Sequence, residues 1–390
     1  LWLTMQLGIS IGGDDDDDDD DGPGPSQNLA ETFMLSQSGA FKVADFQIRP
    51  DSGLTTIGEA HSPDHAHPAE LGISNQDAPK LEVNGLADLK MLEELGSGAS
   101  GTVYKARHLS TDTDVAVKCV TILEKAKRDQ VVSELRIMMS HALGARWLVT
   151  MHNAFYEEAK VYTVLEFMDA GSVEGLIKSH ANGGLSDETE LGRIARELLS
   201  GLNYLHRQLH QVHRDLKPGN VMLHSDGAVK ISDFGISSQL ENTGAFCETF
   251  VGTTCYMSPE RLAGESYSYA ADVWAFGLIM LELACGKYPY PMPDSYFALL
   301  SHIMDKPAPT LPSGSFSDGF AEFVSLCLDK NPKLRPSAHD LLRHPWLRES
   351  QQASGERRRD DREGGFDRSR SNVNGLELSA ALEGMRLHDR

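Results

Sequence analysis

No stretch of this 390-residue chain approaches the ~18 to 20 consecutive apolar residues of a membrane helix, which predicts no membrane span. Positive charge is scarce. Lys and Arg number 36 against 57 Asp and Glu, and residues 1 to 41 contain neither Lys nor Arg. The resulting net charge of −21 argues against a binder of nucleic acid or anionic membrane, which needs a basic surface. Part of that charge is the unbroken run Asp14–Asp21, set between glycines and prolines. Like charges repel there and nothing can be buried, so the run reads as a solvated tail, a divalent-ion or basic-partner role being the alternative. The cysteines (Cys119, Cys247, Cys255, Cys285, Cys327) are scattered, odd in number and without CxxC spacing. They fit reduced thiols, and predict a cytoplasmic protein that also has access to the nucleus. The apolar opening Leu1–Leu7 is short, lacks a basic residue and a small-residue cleavage pattern, and does not read as a signal peptide. With no Met at position 1, the true start is expected upstream or at Met5. There is no internal repeat.

What is present divides into three parts. Residues 1–88 are rich in Gly, Pro, Ser, Asp and His and are expected to be a largely disordered extension, with Phe33–Ile57 apolar enough for a strand or two. From Leu89 the texture is strand–turn–strand: Leu89–Leu95, Gly101–Ala106, Asp114–Thr121, a helix over Gln130–Met139, then strands Leu148–Phe155 and Lys160–Phe167. Beyond Gly171 helices dominate, over Val173–Ala181, Asp187–Leu209, Ala271–Cys285, Ser295–Asp305, Ser317–Leu328 and Ala338–Leu342. The prediction is an α+β, bilobal fold: a small β-rich lobe with one main helix (89–168) and a larger helical lobe (169–347), hinged at Glu166–Met168. The folded part is expected to end near Leu347. The tail 348–390 is expected to be flexible, except that Leu378, Leu382 and Met385 allow a short amphipathic helix over Leu376–Leu387.

Chemistry concentrates in His213-Arg-Asp-Leu-Lys-Pro-Gly-Asn220, followed by Asp233-Phe-Gly235. A base, a phosphate-facing lysine and two metal-binding side chains fall in one short window, the order used for phosphoryl transfer. Upstream, Gly96-Ser97-Gly98-Ala99-Ser100-Gly101-Thr-Val103 is a G-x-G-x-x-G-x-V run, whose glycines let backbone N–H groups approach phosphates. Alone it serves a dinucleotide-binding loop or a hairpin equally well. A dinucleotide loop, however, would open a helix, and here a strand pattern follows. Lys118 ends the third strand and is expected to pair the α- and β-phosphates, held by Glu134 on the next helix. Asp215 would accept or orient the proton of a substrate hydroxyl, Lys217 would steady the γ-phosphoryl group, and Asn220 and Asp233 would hold Mg²⁺. His213 and Phe234 read as packing beneath these groups. Glu260 is expected to pair with Arg335, and Asp272 to anchor the catalytic loop from the long helix.

Taken together these motifs resemble the eukaryotic protein kinases over 89–347. Glu166-Phe-Met-Asp-Ala-Gly-Ser-Val-Glu174, Asp233-Phe-Gly-Ile-Ser237 and Phe250-Val-Gly-Thr-Thr-Cys-Tyr-Met-Ser-Pro-Glu-Arg261 resemble the MAP kinase kinases within them. The resemblance implies ATP and Mg²⁺ as cofactors, with Ala116, Glu166, Met168 and Met222 completing the nucleotide site around the glycine loop. It implies a dual-specificity kinase that phosphorylates Thr and Tyr in the activation loop of a MAP kinase, itself activated by a MAP kinase kinase kinase. The matching acceptors here are Thr243 and Thr249, at the spacing of plant and protist members, with Arg214 as receiver of the phosphate and Thr253 near the catalytic aspartate. The basic docking peptide usual in the family is degenerate at Lys42–Ile48, and Leu376–Leu387 lies where family members bind their upstream kinase. The alternatives are another Ser/Thr kinase of the same cascade and a pseudokinase scaffold. The presence of Lys118, Asp215, Asn220 and Asp233 weighs against the scaffold.

Overall fold

A computed structural model of the chain describes residues 34–35, 40–43, 46–56, 81–98, 100–140, 146–180, 183–233, 255–266, 268–290 and 296–353. The acidic run, Ala99, Phe234, Gly235, Thr243, Thr249, Thr253 and the Leu376–Leu387 stretch lie outside them. The chain divides into two units, residues 1–144 with 150–167, and residues 145–149 with 168–390. The main passage between them falls between Phe167 and Met168, within the predicted hinge.

The first unit is built on an antiparallel five-stranded sheet, in the order β5 (Leu89–Gly98), β6 (Gly101–His108), β7 (Thr113–Thr121), β9 (Lys160–Glu166), β8 (Met151–Glu157). Val115 and Val117 pack on one face with Val83, Leu89, Ala106, Phe155 and Val164. On the other face Ala116 and Lys118 are buried too, so the middle of β7 is covered on both sides rather than alternating in and out. Helix α1 (Lys125–Ser140) begins a turn earlier than its apolar period predicts. Its first turn is charged, yet Arg128 is buried and donates to the carbonyls of Ile122 and Leu123.

The strand or two expected over Phe33–Ile57 is present there as four. Four short strands, β1 (Met34–Leu35), β2 (Phe41–Lys42), β3 (Phe46–Arg49) and β4 (Gly53–Thr56), form a second antiparallel sheet. Strands of two to four residues carry too little period to be read reliably from sequence. Phe41, Val43, Phe46 and Ile48 are fully buried, and Phe41 lies 5.6 Å from the Tyr156 ring of β8. The degenerate docking segment therefore spends its apolar residues on the core. Val83, ahead of the boundary expected at residue 89, also packs in the core of the main sheet.

The second unit is organised around α5 (Tyr269–Cys285), buried nearly all round from Ala271 to Leu281 as a central helix must be. It ends on Gly286 in the left-handed region (φ 69°). Amphipathic α3 (Glu188–Arg207), capped by Asp187, lays Leu191, Ile194, Leu198, Leu202 and Leu205 inward. Helix α2 (Val173–Ser179) starts on a Ser172 cap, and α7 (Asp318–Cys327) on a Ser317 cap.

Past the end expected near Leu347 the chain continues as helix, over residues 345–353. The polar run 348–353 gives no apolar signal, but Ser350 is buried against Gly192 of α3. A Cβ on Gly192 would sit 2.2 Å from Ser350 Oγ and 2.6 Å from its Cβ. Gly192→Ala is therefore expected to destabilise the protein by about 1–3 kcal/mol through overpacking, despite alanine's better helix propensity. Thermal and urea unfolding check this, and Gly192→Ala/Ser350→Gly should recover most of the loss.

Candidate active site

In the first unit the glycine run forms the β5–β6 hairpin, with Gly98 opposite Gly101, Ser97 opposite Thr102 and Gly96 opposite Val103. Because β6 follows and no helix opens there, the dinucleotide alternative is removed. Gly101 is the position that demands glycine: its φ is 120° and an added Cβ would stand 2.6 Å from the Cys119 carbonyl. An added Cβ on Gly96 or Gly98 would meet no atom within 4 Å. Their backbone thus borders open space, as a phosphate cradle requires.

Val103 pairs across the sheet with Lys118. Lys118 Nζ lies 2.6 Å from Glu134 Oε1, with both side chains buried. Removing either partner strands a buried charge, so the pair locks α1 to β7. Ala116, also buried, sits on the same strand opposite Lys105 and Leu165. Glu166 closes β9. Its backbone N–H donates to Thr150 O (2.9 Å), and its Oε1 accepts from Thr150 N–H (2.8 Å). Its carboxylate is therefore structural, a role the sequence did not reveal.

In the second unit the catalytic loop is compactly wired. Asp215 Oδ2 accepts from Lys217 Nζ (2.8 Å) and from Asn220 Nδ2 (3.1 Å), and that same amide nitrogen also donates to the Asp215 carbonyl (2.8 Å). Asp272 anchors the loop as expected. Its Oδ2 accepts from His213 N–H (2.8 Å), and its Oδ1 from Arg214 N–H (3.1 Å). Arg214 and Asp233 hold left-handed backbone at φ 71° and 57°, which non-glycine residues adopt at a cost and which concentrates at functional sites. His213 is buried and its ring bonds the Ser232 carbonyl (2.9 Å), tying the catalytic loop to the strand that leads to Asp233. Met222 lies on β10 (Val221–Leu223), which pairs with β11 (Val229–Ile231) and bridges to Ser172, four residues beyond buried Met168.

Sequence reading missed His206. It is buried at the end of α3, its Nε2 is 2.8 Å from Asp272 Oδ2, and Tyr269 stacks on its ring at 4.6 Å. No local motif marks it, because its partner is 66 residues away. The expected Glu260–Arg335 pair is present as a bidentate contact at 2.7 and 2.5 Å. Burial alone would raise the Glu260 carboxyl, but the Arg335 bonds and charge outweigh it and hold it below the ordinary range.

The donor set fits a hard cation. The Asn220 amide bonds Asp215 twice through its nitrogen, so its Oδ1 is the group left to ligate, and Asp233 supplies a carboxylate.

Comparison with known sequences agrees with this geometry. The protein kinase domain family matches residues 89–347. Mitogen-activated protein kinase kinase 2 of Arabidopsis thaliana is 38% identical over 323 residues, covering 81% of this chain and 85% of the relative. Mitogen-activated protein kinase kinase 1 of the same plant is 37% identical, covering 80% and 86%. The dual specificity mitogen-activated protein kinase kinase dSOR1 of Drosophila melanogaster is 37% identical over 290 residues, covering 68% and 72%.

Proposed function

Because the chain belongs to the protein kinase family, and within it to the MAP kinase kinases, we propose that it transfers the γ-phosphoryl group of ATP to both Thr and Tyr of a MAP kinase activation loop. The observation that carries this reading is the wiring of Asp215. Its Oδ2 is taken by Lys217 and Asn220, which leaves Oδ1 to receive the proton of the substrate hydroxyl. Lys217, beside that oxygen, is placed to steady the phosphoryl group in transit. Lys118, fixed by Glu134, orients the α- and β-phosphates, and the Gly96–Gly101 hairpin donates backbone N–H groups to them. Mg²⁺ held by Asn220 and Asp233 would neutralise charge on the phosphate oxygens. Switching falls to Thr243 and Thr249, phosphorylated by an upstream MAP kinase kinase kinase. Each phosphate adds roughly −1.5 to −2 charges for Arg214 to receive.

The test incubates the full chain with Mg-ATP and a panel of kinase-dead MAP kinases. Thr243→Glu/Thr249→Glu is expected to phosphorylate Thr and Tyr of one loop without an upstream kinase, and Lys118→Met to phosphorylate nothing. Deleting 374–390 should abolish activation by the upstream kinase only. Phosphate on serine of a generic substrate alone, or no activity from the Glu pair, would sink the assignment.

A further inference from the structure

We infer that the N-terminal strap (residues 40–43, 46–56 and 81–88) positions the nucleotide site by gripping a bulge in β8, so that Asn153 and Gly53 set the affinity for ATP. This rests on the proposed nucleotide site, at which the kinase resemblance places Glu166; with its carboxylate engaged by Thr150, the part of Glu166 left to face a nucleotide is its backbone. Opposite β9, Met151 pairs with Leu165, but Asn153 pairs with the adjacent Val164, so His152 is an extra residue in the strand. A bulge of this kind bends a strand and re-aims its neighbours, and it needs partners for the groups it unpairs.

Here the strap bonds the side chains of the two bulge residues. Leu81 N–H donates to His152 Nδ1 (3.3 Å), Leu54 N–H donates to Asn153 Oδ1 (3.0 Å), and Asn153 Nδ2 donates to the Val83 carbonyl (2.8 Å). The same Asn153 oxygen accepts its neighbour Ala154's N–H (2.9 Å). Two consecutive side chains therefore receive three backbone groups from two separate strap segments.

The fit has no slack. Gly53 has φ 70°, and an added Cβ would stand 2.5 Å from both terminal atoms of Asn153. Apolar burial fixes the strap behind these bonds, through Phe41 against Tyr156 and Val83 beside Phe155 and Val164.

One residue before the bulge pair begins, the chain reaches Glu166. Thr150 precedes Met151 and holds Glu166 by two bonds, through its N–H and its carbonyl. A shift of the bulge thus moves Thr150, and Thr150 moves Glu166. Asn153 and Gly53 are positioning residues: they touch no substrate, and their effect should appear in nucleotide binding rather than in the transfer step. The same packing means that residues 40–43 and 46–48 are part of the kinase body, not a peptide offered to a partner.

The experiment uses the full chain and measures the Kd for Mg-ATP by titration, with kcat and KM for ATP alongside. Gly53→Ala and Asn153→Ala should each raise Kd and KM roughly tenfold, the factor carried by a hydrogen bond's worth of misplacement, with kcat at saturating ATP kept. Asn153→Asp, which keeps the acceptor for Leu54 and loses the donor to Val83, should fall between and remains a test if the alanine variants unfold. Gly53→Ala/Asn153→Ala should be no worse than Asn153→Ala alone, since Gly53→Ala acts by displacing the Asn153 side chain that is then already absent. A lowered Tm with unchanged Kd for ATP would overturn the inference and leave the strap a stability element. A wild-type chain that binds no ATP would instead refute the nucleotide-site reading.

Discussion

Asp215→Asn is expected to lower kcat by about 10²–10⁴-fold while leaving the Kd for Mg-ATP near the wild-type value. The reason lies in which carboxylate oxygen is already used. Lys217 and Asn220 both donate to Oδ2, and an asparagine must present its single oxygen to them to avoid facing donors with a donor. That turns its NH₂ group to the place where the substrate hydroxyl needs an acceptor. Shape, loop wiring and nucleotide contacts survive, and the proton loses its receiver. Single-turnover phosphorylation of a kinase-dead MAP kinase, with ATP titration and thermal unfolding in parallel, separates these quantities. A loss of less than tenfold with the fold intact would remove Asp215 from the chemistry. A large loss with collapsed ATP binding would mean that the residue supports the site rather than acts in it.

The catalytic wiring was legible in sequence wherever a side chain meets a side chain of characteristic type. Lys118 with Glu134, Glu260 with Arg335, and the crowding of Asp215, Lys217 and Asn220 all follow from residue identities at recognisable spacings. Asp272 was legible for the same reason, although it binds backbone, because its helix and loop are both strongly marked. The grip of the strap was not legible. Its bonds run from Leu54, Leu81 and Val83 to partners 99, 71 and 70 residues away, and each uses a backbone group that any residue carries. Asn153 therefore looks like any polar residue on a strand until its neighbours are placed. A strand or two was legible over Phe33–Ile57, but strands this short carry too little period to fix their number, and the flanking composition suggests disorder. Gly192 and Ser350 show the same limit in the second unit, where a close approach fixes both residues and neither belongs to a motif. What sequence conveys well is chemistry; what it conveys poorly is which backbone the chemistry leans on.

Arg335→Ala is expected to cost about 3–5 kcal/mol of stability, the largest effect of any substitution away from the catalytic loop. Arg335 gives Glu260 two bonds and also donates to the carbonyls of Asp329 (2.6 Å) and Ala270 (2.7 Å), with its guanidinium 5.3 Å from the Trp274 ring. Truncation leaves a buried carboxylate and two carbonyls without their donor, besides a cavity. Arg335→Lys should recover little, because an ammonium cannot make the bidentate contact. Arg335→Met/Glu260→Leu should recover most, because it removes the charge with its partner. The pH dependence separates charge from cavity. In the wild type the Glu260 carboxyl is held below its unfolded value, so the pair's contribution is complete above that value and is lost as pH falls through the folded one. In Arg335→Ala burial is opposed only by the smaller backbone and Ser258 contributions, so the same group is expected to move up and that variant to gain as Glu260 becomes protonated. The stability gap should therefore be widest near neutral pH and narrow below the ordinary carboxylate range, whereas a gap due only to cavity would be the same at every pH. Urea unfolding of both proteins across that range decides between them, and a constant gap would show that Arg335 acts by volume and not by charge.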